Sequence, residues 1–280
     1  MMSPVGLTSR WVAASRALET AAPNPLFADP LAHVLAGEEG YALLRASRQA
    51  STMAQANGAD PYLAIRTRFF DDALLGAVGE GGPSQVVLVA AGMDARAFRL
   101  AWPDGLTLFE IDRDEVFDYK EPLLAGLGAQ PRCARHVVRA DLGRDWVGPL
   151  TRAGFDPDRP AVFLVEGLLV YLEAADVDAL LAALGQLARP GSWLGADLAG
   201  TEFLSSPFVQ PLLKMLEQLG CPWRFGTADP MQLLARHGWA ADVVVVGEPR
   251  ANYGRWPYPV APRGVPGVPR SYFVTARRAG

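Results

Sequence analysis

The sequence predicts an α/β fold: a seven-stranded, mostly parallel sheet carrying a helical cap. Three observations lead there. Short apolar runs occur at 86–91, 106–111, 135–140, 161–165, 192–197, 241–246 and 271–276, after a first quarter that has none. The first five alternate with helical patterns, as strands buried on both faces of a parallel sheet do. The last two have no helical pattern between them, so the final strand is expected to run in reverse at one edge.

Residues 8–78 read as helical. Thr8 or Ser9 can cap a helix with Trp11, Ala14 and Leu18 on one side. Asp29-Pro30 and Asp60-Pro61 each place a capping side chain before a proline at the first helical position. From Pro61, the residues Tyr62, Ile65, Phe69 and Ala73 form one stripe, which stops at Gly79. The run from Val86 to Ala91 is bounded by Pro83 and Gly92. Over 176–188, Val177, Leu180, Leu181, Leu184 and Leu187 make one apolar helical face. Residues 1–280 are read as one domain, whose cap comes from about 1–60 and 200–235.

Composition narrows the function. The 280 residues carry 26 basic and 30 acidic side chains, a balance of −4, so no basic excess suits a nucleic-acid partner. Half the residues are apolar, which excludes a disordered chain. No apolar run reaches the roughly 20 residues that span a bilayer, and the first residues lack the pattern of a signal peptide. A soluble, cytoplasmic protein is expected. Cys133 and Cys221 lie far apart and outside any CxxC pair, so neither a zinc site nor a disulfide framework is supported. Only Lys120 and Lys214 are lysines, and neither follows a glycine as a phosphate-binding loop requires.

In open parallel sheets, ligands bind beyond the carboxyl ends of the strands. Gly92 closes the first strand with one glycine where a dinucleotide site wants three. That suits either a plain turn or a cofactor without phosphates, crossing the turn at one close approach. Asp112 follows Gly92 by 20 residues, the distance at which an acid reaches ribose hydroxyls; Glu110, two residues earlier, is a weaker candidate. Glu166 ends an apolar strand and needs a partner, either a cationic ligand or an arginine. On the helix from Pro61, Arg66 lies among Tyr62, Phe69 and Phe70 and should point inward, towards a ligand carboxylate or an internal acid. Arg68 faces Asp71 and Asp72, a solvated ion-pair face.

The ordered set Ile65 to Asp72, Ala91 to Leu100, Phe109 to Asp112, Lys120, Asp141-Leu142 with Trp146, and Val165 to Leu172 closely resembles the leucine carboxyl methyltransferase family. Its bacterial branch, of the tetracenomycin polyketide-synthesis O-methyltransferase type, is the most similar. The resemblance covers residues 8–200 well and 200–270 weakly. It implies a Rossmann-like methyltransferase sheet and S-adenosyl-L-methionine as cofactor, with no metal. By the same resemblance, Arg66 would hold the methionine carboxylate, Gly92 would pass under the methionine chain, and Asp112 would bind the ribose. Asp141 and Leu142 would flank the adenine, and Glu166 would lie near the amino-acid end. One departure is Arg113-Asp114, where a proline or glutamine is usual.

A carboxylate acceptor needs no base, whereas a phenol gains from one. His33, His136 and His237 are placed for structural roles, which tilts the reading towards carboxyl methylation. Tyr171 is a candidate orienting hydroxyl. The stretch 247–270 leaves a strand on the ligand side, and Tyr253, Trp256 and Tyr258 are candidate walls of a substrate pocket. They would either line it or pack on the body of the protein. The expected partner is a small-molecule acceptor, a polyketide-like acid. Two alternatives stand beside it: a methyltransferase of protein or peptide C-terminal carboxylates, and a non-catalytic S-adenosylmethionine-binding protein.

Overall fold

The computed structural model describes residues 2–50 and 60–278; residues 51–59 of the expected cap lie outside them. Seven strands form one sheet: β1 (Gln85–Val89), β2 (Thr107–Asp112), β3 (Ala134–Arg139), β4 (Val162–Val165), β5 (Trp193–Ala199), β6 (Trp239–Val245) and β7 (Ser271–Arg278). Their order is β3-β2-β1-β4-β5-β7-β6, and β7 alone runs antiparallel, against both β5 and β6. The strand order reverses between β1 and β4, where Val87 sits beside both Phe109 and Phe163. This is the switch point at which a doubly wound sheet opens a ligand crevice.

Period-two alternation builds the core on both faces. Val87, Val89, Phe109, Ile111 and Phe163 pack with Val177, Leu181 and Leu184 of the crossover helix (Ala174–Leu187). Val86, Leu88, Leu108 and Leu164 turn the other way, onto Ile65, Phe70 and Leu74 of the helix Pro61–Ala77. β3 departs from the expected burial, since only Val138 in it is fully buried. It is an edge strand, and Arg135 covers that edge by pairing with Glu110 and Glu121.

The first helix is α1 (Pro4–Thr20), followed by α2 (Ala32–Ala50) and α3 (Pro61–Ala77). α1 starts earlier than Thr8 or Ser9, because Ser3 caps it, accepting from Gly6 N at 3.2 Å, with Pro4 at the first helical position. The Thr8 and Ser9 hydroxyls instead bond back to the carbonyls of Val5 and Gly6. Asp60 caps α3 as expected, accepting from Tyr62 N at 2.9 Å. α4 (Arg96–Arg99), α5 (Asp114–Gly126), α6 (Val147–Arg152) and α7 (Ala174–Leu187) connect the parallel strands. α8 (Thr201–Ser205), α9 (Gln210–Gln218) and α10 (Pro230–Ala235) follow β5. α1 and α2 pack together over the carboxyl edge of the sheet, with Leu216 of α9 and Met93 in the same cluster, whereas α10 packs on β6. Among the described residues no helix is long and apolar enough to cross a membrane.

Candidate active site

A cavity of about 1500 Å³ lies between the cap and the carboxyl ends of the strands. Its floor begins at the turn after β1. Gly92 takes φ +49°, and a Cβ there would stand 2.6 Å from Cβ of Ser9 on α1. A non-glycine residue would therefore be both strained and crowded. The Gly92 amide donates to Asp112 Oδ2 at 2.6 Å, and the Arg113 amide donates to Oδ1 at 2.8 Å. The end of β2 is thus tied to the turn after β1. Burial pushes the Asp112 carboxyl above its usual range, and those two amides only partly offset it.

Arg66 points inward from α3 and meets two carboxylates. Its Nε donates to Glu166 Oε1 and its Nη1 to Asp197 Oδ2, each at 2.9 Å. Asp197 closes this corner by accepting from Tyr62 Oη at 2.9 Å and from the Gly167 amide at 2.6 Å. Glu166 Oε2 lies 2.8 Å from Arg96 Nη1, yet it is buried without a hydrogen bond of good geometry. Burial alone would raise the Glu166 carboxyl; Arg96 and Arg66 reverse this and hold it below the usual range. Arg96 also binds Asp71 and Asp94, Arg99 binds Asp71, and Arg16 pairs with Asp29. The outcome is a buried chain of alternating arginines and acids beneath the cavity.

Arg66 and Glu166 are therefore internal partners of each other, and both line the cavity. Asp141 and Leu142 line it at the end of β3, and Asp141 Oδ1 accepts from the Gly143 amide at 2.9 Å. Tyr171 lines it too, with its hydroxyl 3.3 Å from Thr8 Oγ1. The Tyr171 hydroxyl is the donor in that contact, and burial raises its pKa. Trp256 and Tyr258 line the cavity as an edge-to-face pair with centroids 5.2 Å apart.

Three expectations need correction. Tyr253 is not a wall residue: its hydroxyl donates to Asp72 Oδ2 at 3.1 Å, and its ring packs beside the α3 core. Glu110 cannot reach a ribose, being fully buried against Lys120 at 2.7 Å and bound to Arg135. Asp71 leaves the solvated face and binds Arg96 and Arg99, so only Asp72 pairs with Arg68, at 2.9 Å. None of the histidines lines the cavity: His136 stacks on Phe109, His237 meets Asp178 and His33 meets Tyr41.

The residues that sequence reasoning missed are Asp197, Tyr62 through its hydroxyl, and the arginines of α4. Asp197 carried the same signal as Glu166, an acid in an apolar run at the carboxyl edge. Chemically, the cavity offers opposite charges at the β4–β5 end, an acid and a Cβ-free turn at the centre, and an acid with an apolar neighbour at the β3 end. No lysine lines it. Such a set suits a zwitterion joined to an unphosphorylated nucleoside.

Comparison with known proteins agrees with this geometry. The family model for leucine carboxyl methyltransferase matches residues 9–185. A protein from Parafrankia sp. (strain EAN1pec) is 41% identical over 284 residues, covering 98% of this chain and 87% of its own length. One from Mycobacterium tuberculosis (strain ATCC 25618 / H37Rv) is 34% identical over 305 residues, covering 98% of this chain and 95% of its own. Both are provisionally described as S-adenosyl-L-methionine-dependent methyltransferases. Among solved structures, a provisionally assigned methyltransferase from Thermobifida fusca YX shares the fold, with TM-score 0.62 and 20% identity over 96% of this chain and 94% of that one.

Proposed function

Because this chain belongs to the leucine carboxyl methyltransferase family, we propose that it is an S-adenosylmethionine-dependent O-methyltransferase acting on a small-molecule carboxylate or phenol of polyketide-like character. The observation that carries the reading is the cavity itself, with Arg66 and Glu166 at one end, Gly92 and Asp112 at the centre and Asp141 with Leu142 at the other. These residues fit the cofactor by the chemistry of the set: an arginine for its carboxylate, acids for its ammonium and ribose hydroxyls, and no lysine among the residues lining the cavity. When bound, the cofactor supplies an activated methyl group on a sulfonium.

The protein's task is then alignment. Arg66, already fixed by Glu166 and Asp197, has Nη2 left to hold a carboxylate, and fixing it beforehand lowers the cost of binding. Asp112 and Asp141 fix the other end. Tyr171, protonated and facing the cavity, orients the acceptor oxygen. Holding acceptor and methyl group at attack distance supplies roughly 7–11 kcal/mol of the barrier. The aromatic pair Trp256 and Tyr258 supports a compact acceptor over a peptide terminus.

Calorimetric titration with S-adenosylhomocysteine tests the cofactor site. Asp141→Ala, at a side chain 40% exposed, leaves folding intact and weakens binding by about 1 kcal/mol. Arg68→Ala, whose partner Asp72 is 44% exposed, leaves the affinity unchanged. A panel of aromatic acids, phenols and C-terminal peptides, read by methyl mass gain, tests the acceptor. Gain on peptides alone overturns the small-molecule reading, and no uptake of S-adenosylhomocysteine overturns the enzyme.

A further inference from the structure

Seven arginines line the cavity. Five of them are ion-paired with acids of the protein. Arg144 stands exposed beside Asp141, at the end assigned to the adenosine. The remaining one, Arg270, is on the acceptor side, and no carboxylate of the described residues pairs with it. Its Nη1 donates to Val268 O at 3.2 Å, and its Nη2 to Pro262 O at 2.8 Å and Val265 O at 2.9 Å. Its Nε is buried with no hydrogen-bond partner among the described residues. Three carbonyl dipoles hold the guanidinium in place, and its charge is felt by Glu202 but is not tied up in an ion pair.

Position gives that charge a use. Arg270 immediately precedes β7, and its carbonyl accepts from the Gly200 amide at 2.8 Å, just past the end of β5. Asp197, which anchors the Arg66 corner, lies three residues before Gly200, about 10 Å along an extended strand. The same cavity is lined by Phe203, Trp223, Trp256, Tyr258 and Pro269. Val5, Phe208 and Val260, exposed by 37%, 68% and 38%, line the same cavity, although such side chains are usually scattered singly.

We propose that Arg270 anchors an anionic group of the acceptor distinct from the oxygen that is methylated, so that the acceptor is an amphiphile with an apolar body and a remote acid. A guanidinium bound to the attacking oxygen would withdraw electron density from it, whereas one bound to a second acid positions the molecule at no such cost. The inference rests on the cofactor occupying the Gly92–Glu166 end, as proposed above.

The test uses the whole protein saturated with S-adenosylhomocysteine and two fluorescent probes of similar shape, anionic anilinonaphthalene sulfonate and neutral N-phenylnaphthylamine. Arg270→Met weakens the anionic probe about tenfold or more, the loss of a charged hydrogen bond, and leaves the neutral probe and S-adenosylhomocysteine unchanged. Phe208→Asp at the rim weakens both probes, which places them in this chamber. Equal loss of both probes in Arg270→Met makes the arginine a loop staple and overturns the proposal. Unchanged binding of the anionic probe in that variant overturns it as well, as does unchanged binding of both probes in Phe208→Asp. Failure of the unmodified protein to take up S-adenosylhomocysteine overturns instead the methyltransferase reading beneath it.

Discussion

Asp112 shows how one side chain sets stability against binding. It accepts two backbone amides, yet burial leaves it harder to ionise than a free aspartate. A carboxyl whose folded pKa is raised keeps its proton longer in the fold than in the unfolded chain. Its contribution is most favourable at low pH and declines as pH rises through the folded pKa, so the ionised form is a liability at pH 7. Asp112→Asn removes the charge and keeps one oxygen for the Gly92 amide, but its NH2 cannot accept from the Arg113 amide. Without ligand, relief of the buried charge offsets that lost hydrogen bond, so its melting temperature at pH 7 should stay close to that of the unmodified protein. Its affinity for S-adenosylhomocysteine should fall by roughly 1.5–3 kcal/mol, because a ribose hydroxyl loses a charged acceptor. Thermal melts with and without the ligand read both effects, and a lower melting temperature with unchanged affinity would remove Asp112 from the site.

Between elements, the arginine–acid chain joins α1, α3, α4, β4 and β5 beneath the ligand crevice. Several of its pairs join distant parts of the chain, Arg96 lying 25 residues from Asp71 and Arg66 131 residues from Asp197. This is why the sequence showed that Arg66 turned inward and that Glu166 needed a partner, without showing that they meet. Asp71 was harder still: an acid beside Asp72 reads as surface until Arg96 and Arg99 arrive from another element. The strands were legible because period and composition are local, and the Asp112–Gly92 spacing belongs to the fold's geometry. The chain's electrostatics predict an acid sensitivity. Burial alone would raise Asp94, but Arg96, Arg16, Lys120 and Arg99 bring its pKa down to about 2. A lowered folded pKa contributes stability above the unfolded value of 3.8, and that stability is lost as pH falls towards 2. The full term is about 2 kcal/mol. In urea unfolding, the difference between the unmodified protein and Asp94→Asn should therefore shrink by roughly half between pH 5 and pH 3. A difference that stays constant over that range would mean Asp94 is not held by its arginines.

At the scale of the whole molecule, α1 roofs the ligand crevice. α1 reaches it at three points: Ser9 against Gly92, Thr8 against the Tyr171 hydroxyl, and Arg16 onto the Met93 carbonyl. Each of the three partners lines the cavity, so a ligand that fills it packs beside the contacts that hold α1. The reversed strand β7 and its neighbour β6 sit at the far edge, with much of β6 covered by α10. A ligand that binds only the folded state at a hundred times its dissociation constant adds about 2.7 kcal/mol globally. Local openings that leave the site intact gain nothing from it. Hydrogen exchange should separate the two under conditions where local opening dominates. Saturation with S-adenosylhomocysteine should slow the amides of α1 and of residues 90–95, while those of Trp239–Val245 keep their rates. Equal protection of both regions would mean that the sheet responds only as one cooperative unit. Protection of β6 without α1 would place the ligand away from the cap. Slowing confined to α1 and the Gly92 turn is what a crevice roofed by α1 requires.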